Sequence, residues 1–172
     1  MTPLEEHTML AKNNHDEESR QSFVNDFRVH LSSNVFPGNF PAYYKRVLPQ
    51  FLKIEKREPK NSNEIRKVMN KDPFYSFWSA MQRNSQEMIW SSVIDTVERQ
   101  LDDLIKKSKI AKPNGSLTLN PNLDIPKYNT AADIHIQPGA YHQQQIDNDV
   151  SAGAVYDRGT YIYSMGGLGT GN

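Results

Sequence analysis

The chain contains no cysteine. A disulfide framework, a thiolate zinc site, an iron–sulfur cluster and a cysteine nucleophile are excluded together. A surplus of charge is also lacking, since 20 Lys and Arg stand against 20 Asp and Glu for a formal net charge of zero. Such a balance gives no electrostatic footprint for phosphate, so neither nucleic acid nor an anionic membrane is expected as a partner. Long apolar runs are missing too: nothing approaches the roughly 18 residues of a membrane span, and the polar, acidic start has no signal-peptide core. The cytoplasm is the expected compartment. At 172 residues, the chain fits about one domain rather than a complete two-domain enzyme.

What is present is mostly helical periodicity. Residues 1–15 are polar and aperiodic and are expected to form a mobile leader. From Asp16, the spacing of Phe23, Phe27 and Leu31 with Val24 predicts an amphipathic helix, its acidic start suiting the helix dipole. Phe36-Pro37-Gly38-Asn39-Phe40-Pro41 predicts a turn. A second helix is expected from Pro41 through Tyr44, Val47, Leu48, Phe51 and Leu52, kinked at Pro49. Asn61 and Glu64 have capping-box spacing and open a short helix through Ile65, Val68 and Met69. Asp72-Pro73 is a cap followed by a first-turn proline, leading into Phe74, Phe77, Trp78 and Met81.

Beyond Asn84-Ser85 the apolar stripe continues through Trp90, Ile94, Val97, Leu101, Leu104 and Ile105. A single rod over 73–109 would be about 55 Å long, so a bend near Asn84-Ser85, or a partner, is expected. The stripe reads either as packing within a bundle or as the seam of a homodimer. The aromatic residues Tyr43, Tyr44, Phe74, Phe77 and Trp78 read as core, since no basic surplus accompanies them. The expected architecture is mainly α: a helical bundle over 16–110, then a Pro- and Asn-rich connector over 111–132.

Chemistry-bearing residues gather after Asp133. In an extended segment, Asp133, His135 and Gln137 share one face opposite Ile134 and Ile136, and Pro138-Gly139 turns the chain to present Tyr141 and His142. His135 suits a general base, because imidazole titrates near neutral pH, or a structural role. A metal centre from His135, His142 and a carboxylate of Asp133, Asp147 or Asp149 is chemically possible but matches no ligand spacing. Residues 147–165 read as a helix in which Ala152, Gly153 and Ala154 permit close approach, with a strand alternative over 160–163. Gly167, Gly169 and Gly171 spell a glycine-rich turn without the following helix that would give it force.

Two blocks stand out: Asp133, His135, Pro138, Gly139 and Tyr141, then Tyr156, Asp157, Arg158, Gly159, Tyr163, Met165 and Gly166. Together they resemble the D-x-H-x-x-P-G-x-Y and Y-D-R-G-x-x-x-Y-x-M-G segments in the N-terminal helical region of a group of bacterial class I S-adenosylmethionine-dependent methyltransferases. The resemblance implies that residues 133–172 form a short mixed segment docking onto a Rossmann-like α/β domain that is not in this chain. It implies methyl transfer to an unknown acceptor, with S-adenosylmethionine held mainly by that missing domain and the present chain inactive alone. His135 and Tyr141 would then face the reaction. Tyr156, Asp157 and Arg158 would grip the cofactor or hold the cap in place. The alternative is a freestanding helical module that pairs through the Trp90 to Ile105 stripe.

Overall fold

The computed structural model describes residues 7–111, 115–116, 118–131, 133, 135–137 and 149–167; these are mainly α-helical and include no strand. The α-helices are α1 (His15–His30), α2 (Asn39–Ala42), α3 (Leu48–Glu55), α4 (Ser62–Met69), α5 (Pro73–Glu98), α6 (Leu101–Ile110), α7 (Lys127–Ala131) and α8 (Ser151–Tyr163). The single bundle expected over 16–110 divides into two compact units. One comprises residues 1–25 with 86–172, the other residues 26–85, the divisions falling inside α1 and α5.

In the first unit, α1 starts with a reciprocal capping box that the acidic-start reading missed. The Glu17 amide donates to Asn14 Oδ1 at 2.9 Å, and the Asn14 amide donates to Glu17 Oε2 at 2.8 Å. Residues 7–14, expected as part of a mobile leader, are docked instead. Ala11 is buried in the core beside Val24, Ile89, Trp90, Val93 and Val97. The Lys12 backbone exchanges hydrogen bonds with the Gln100 side chain, at 3.0 Å and 2.8 Å.

Helix α5 does not break at Asn84-Ser85. Ser85 Oγ turns back onto the Gln82 carbonyl at 2.8 Å, a bond that satisfies the hydroxyl without ending the helix. The break comes at Arg99 and Gln100, where Gln100 leaves helical geometry (φ −115°, ψ 6°) and its side chain takes the Thr96 and Lys12 carbonyls. Trp90, Val97 and Leu104 of the expected stripe are buried with Ile89 and Val93 in the chain's own core. Ile94, Leu101 and Ile105 of the same stripe are half-buried.

In the second unit, the turn expected over 36–41 is absent. The backbone stays right-handed through a π segment (Leu31–Val35), a 3₁₀ turn (Phe36–Gly38), α2, and a second π segment (Tyr43–Val47) leading into α3. The reason lies in the prolines. A helical proline ring strikes the carbonyl four residues back, which for Pro37 and Pro49 belongs to Ser33 and Lys45. Both residues lie within a π segment, where the wider winding moves the carbonyl away. Sequence punctuation thus changes the pitch instead of reversing the chain.

The α5 cap matches expectation, and the α4 capping box is half made, its Glu64 carboxylate taking the Lys60 amide instead of the Asn61 amide. Asn61 Oδ1 accepts the Glu64 amide at 3.1 Å, and Asp72 Oδ1 accepts the Phe74 and Tyr75 amides at 3.0 Å and 3.2 Å. Asp72 also holds Arg46 in a bidentate pair at 2.8 Å and 2.9 Å, which keeps its carboxyl below the usual range despite burial. Ala42, Val47 and Met69 form a second core, flanked by Tyr43, Ile65, Val68, Phe74 and Tyr75. Phe23, Tyr44 and Phe77, expected inside, are more than half exposed. In the connector, the described residues outside α7 have no regular structure, and Leu119, Leu123, Ile125 and Tyr128 are exposed. Among the described residues no helix is long and apolar enough to cross a membrane.

Candidate functional site

The two sequence blocks meet on one residue of α5. Trp90 is 2% exposed, and its indole Nε1–H donates to the His135 carbonyl, which also accepts from Gln86 Nε2 at 3.1 Å. Asp133 Oδ1 accepts the His135 amide at 3.1 Å, an Asx turn that fixes the entry to this segment. From α8, Gly159 packs against the same indole so closely that a Cβ there would lie 2.7 Å from Trp90 Cζ3. Tyr156 stacks on Trp90 with ring centroids 6.4 Å apart.

The blocks also touch each other. Gln137, fully buried, donates from Nε2 to the Ala152 carbonyl at 2.8 Å, while its Oε1 has no hydrogen-bond partner. The His135 ring stands edge-on to Tyr163 at 6.0 Å. Helix α8 ends in a Schellman motif: the Met165 amide bonds the Ile162 carbonyl, and the Gly166 amide the Tyr161 carbonyl. Met165 occupies the left-handed region (φ 52°), followed by Gly166 (φ 79°). The strand alternative over 160–163 is not adopted.

The expected site residues are placed unequally. Arg158 is 4% exposed and donates from Nε to Gln21 Oε1 at 3.0 Å, joining a buried polar cluster of Asn13, Gln21 and Thr96. Asp157 lies 3.0 Å from His7 Nε2. Tyr156 and Tyr163 of α8, and Met165 just beyond its end, are exposed by 46%, 45% and 42%. His135 is half-buried. Tyr141, Pro138, Gly139, His142, Asp147, Gly169 and Gly171 lie outside the described residues. Among the described residues no cluster of three His, Asp or Glu could hold a metal ion.

Close to the polar cluster, Arg99 grips Glu17 through Nε and Nη2 at 2.9 Å and 2.7 Å. These bonds hold the Glu17 carboxyl down to about 2 against the opposing effect of burial. Their role is structural, since the carboxylate is spent on Arg99 and on the α1 cap.

Two clefts stand out in the second unit. One, of about 420 Å³, is bordered by the Arg46–Asp72 pair together with Phe51 and Ile54. The other, of about 540 Å³, is lined by Phe36, Asn39, Phe40, Tyr43 and Tyr44, with Ile65, Arg66 and Tyr75 opposite. Asn39 is 9% exposed, and neither its Oδ1 nor its Nδ2 has a hydrogen-bond partner. Each unmet group of this kind costs about 1–3 kcal/mol. Sequence reasoning missed Asn39 because it sits in a run that reads as a turn, where Asn needs no further explanation.

The chain matches no family model, no curated protein and no solved structure.

Proposed function

We propose that this chain is the N-terminal cap of an S-adenosylmethionine-dependent methyltransferase, its cofactor domain supplied by sequence that follows. The observation that carries the reading is the convergence of both motif blocks on Trp90. Residues distant in sequence, Asp133 to Gln137 and Tyr156 to Gly166, are anchored to one indole and meet through the His135 and Tyr163 rings, while Gln137 bonds Ala152 one turn before the second block. Within α8, Arg158 and Gly159 are buried. Tyr156 and Tyr163, with Met165 just beyond the helix end, are left uncovered, as a docking face requires.

In such an enzyme the methyl group moves directly from the sulfonium to a nucleophile, and catalysis rests on positioning and on exclusion of water. The cap would close over the reacting groups, with the His135 ring turned toward them. Arg158 would hold the cap's interior, through Gln21, and not the cofactor's charged end.

The test is the longer product. The reading sequence beyond codon 172 should encode a strand, a glycine-rich turn and a helix, and the resulting protein should transfer label from methyl-labelled S-adenosylmethionine. Tyr156→Ala in that protein should weaken transfer by about tenfold or more, as expected where one ordering contact is lost. A stop at codon 173, or a longer product with no affinity for the cofactor, would end the proposal.

A further inference from the structure

The zero net charge of the whole chain hides an uneven division. Residues 26–85, the second unit, carry 11 Lys and Arg against 5 Asp and Glu, while the rest of the chain carries 9 against 15. Three of the five acids, Glu55, Glu64 and Asp72, are paired with Arg46 and Arg57. Lys45, Lys53, Lys56, Arg66, Lys67 and Lys71 are exposed and form no ion pair among the described residues. A surplus confined in this way attracts anions however neutral the chain is as a whole.

The same unit leaves large apolar side chains uncovered. Phe36, Phe40 and Tyr44 follow at four-residue intervals along the right-handed stretch 31–55 and line one open cleft together with Arg66. Phe40 and Tyr44 are 55% and 62% exposed, so more than half of each stands in water. Within 31–55 there are five aromatic residues and three Lys or Arg, against Glu55 as the one acid. Helical backbone with exposed aromatic side chains, several basic residues and few acids is the composition of segments that lie in a membrane interface.

We propose that the second unit docks on an anionic lipid surface, with Phe36, Phe40 and Tyr44 entering the boundary between headgroups and acyl chains and the exposed cations held over the headgroups. Charge complementarity calls for a polyanion, and the side chains favour lipid over nucleic acid. Five of the six cations are lysines, point charges suited to a diffuse field of headgroups, whereas recognition of nucleic acid leans on the arginine fork. The rings point the same way. Phe36 meets Phe40 edge to face, at 76°, and Tyr43 meets Tyr44 at 71°. Rings packed in this manner cover faces on which bases would stack, yet they leave the apolar ridge that insertion needs.

Cosedimentation of the purified chain with lipid vesicles tests this. The chain should bind phosphatidylcholine vesicles that contain about one-third phosphatidylserine, should not bind phosphatidylcholine alone, and should be released as salt rises. Arg66→Gln with Lys67→Gln should weaken binding about tenfold or more, since each cation near the surface contributes about fivefold. Phe40→Ser with Tyr44→Ser should also weaken it about tenfold or more, the scale of one aromatic side chain withdrawn from an apolar boundary. Both pairs change exposed side chains, and the charge pair keeps the test open should the aromatic pair misfold. Lys106→Gln with Lys107→Gln, in α6 outside the unit, should leave binding unchanged. Failure to bind the phosphatidylserine vesicles, full binding by a folded Phe40→Ser, Tyr44→Ser protein, or an equal loss from the α6 pair would overturn the proposal. Binding of a single-stranded oligonucleotide, or dimers in sedimentation at low salt, in a chain that ignores the vesicles would assign the surface to nucleic acid or to a second copy instead. None of these results bears on the methyltransferase reading.

Discussion

Gly159 lies against the face of Trp90 at a distance no side chain tolerates: an added Cβ would meet Cζ3 at 2.7 Å and Cε3 at 3.3 Å. The helix gives up propensity at this position so that α8 can approach the indole holding the His135 carbonyl. Gly153, six residues earlier, has no atom within 4 Å of its would-be Cβ. Within the small-residue run 152–154, close approach is met at Ala152, whose carbonyl takes Gln137, and at Ala154, which packs against the core, but not at Gly153.

Opposite outcomes follow for two glycines in one helix. Gly159→Ala should destabilise the chain by about 2 kcal/mol through overpacking against a fixed ring. Gly153→Ala should stabilise it by about 1 kcal/mol, the ordinary helix-propensity gain. Urea denaturation of both variants checks this, and a neutral Gly159→Ala would show that α8 does not pack on Trp90.

Replacing Trp90 by Phe keeps a flat ring and removes the Nε1–H. Of the two bonds to the His135 carbonyl, only that from Gln86 Nε2 would remain. A loss of about 2–3 kcal/mol is expected, the missing hydrogen bond adding about 1 kcal/mol to the cavity that the smaller ring leaves in the core. Hydrogen exchange should accelerate at the His135 and Gln137 amides with little change in α6.

The Glu17–Arg99 pair gives a pH signature. Glu17 has a folded-state value lowered from 4.5 to about 2, so its contribution is complete above the unfolded value and disappears as pH falls from about 4.5 toward 2. Glu17→Gln should cost about 1.5 kcal/mol near neutral pH, the worth of hydrogen bonds to a charged group. The gap between the two proteins should shrink through that acid window. A gap that stays constant from pH 6 to pH 2.5 would contradict the pairing.

Helix α3 ends on Lys56, whose φ of 55° places a side-chain-bearing residue where glycine is preferred. Lys56→Gly should raise stability by about 1 kcal/mol, since the left-handed conformation costs other residues roughly 1–2 kcal/mol. Thermal unfolding reads this directly, and a lowered midpoint would mean that Lys56 has contacts outweighing its strain.

Local chemistry was readable in the amino-acid order wherever its cause was local. Asp72-Pro73 and Asn61 with Glu64 opened helices where they stand, because a cap needs only a side-chain oxygen and amides two or three residues on. The helical character of 16–110 and of 151–163 likewise follows from periodicity. Proline misled over 36–41, because its effect depends on whether the preceding carbonyls can be moved aside, whereas the helix expected from Pro41 through Leu52 forms.

Other features needed the folded chain. Residues 7–14 carry no periodicity, yet Ala11 is core and Lys12 is clasped by Gln100, partners 88 positions apart. Arg158 looked like a ligand-gripping cation until Gln21, 137 positions away, was found beside its Nε. Asn39 looked like a turn residue until its amide proved buried without a partner. The sequence by itself determined the helices, their caps and the two motif blocks, all of which depend on neighbours within a few residues. Tertiary structure alone decided which glycine is indispensable, which aromatic residues stay exposed and which polar groups go unmet, because burial and hydrogen-bond pairing are set by atoms brought together from remote parts of the chain.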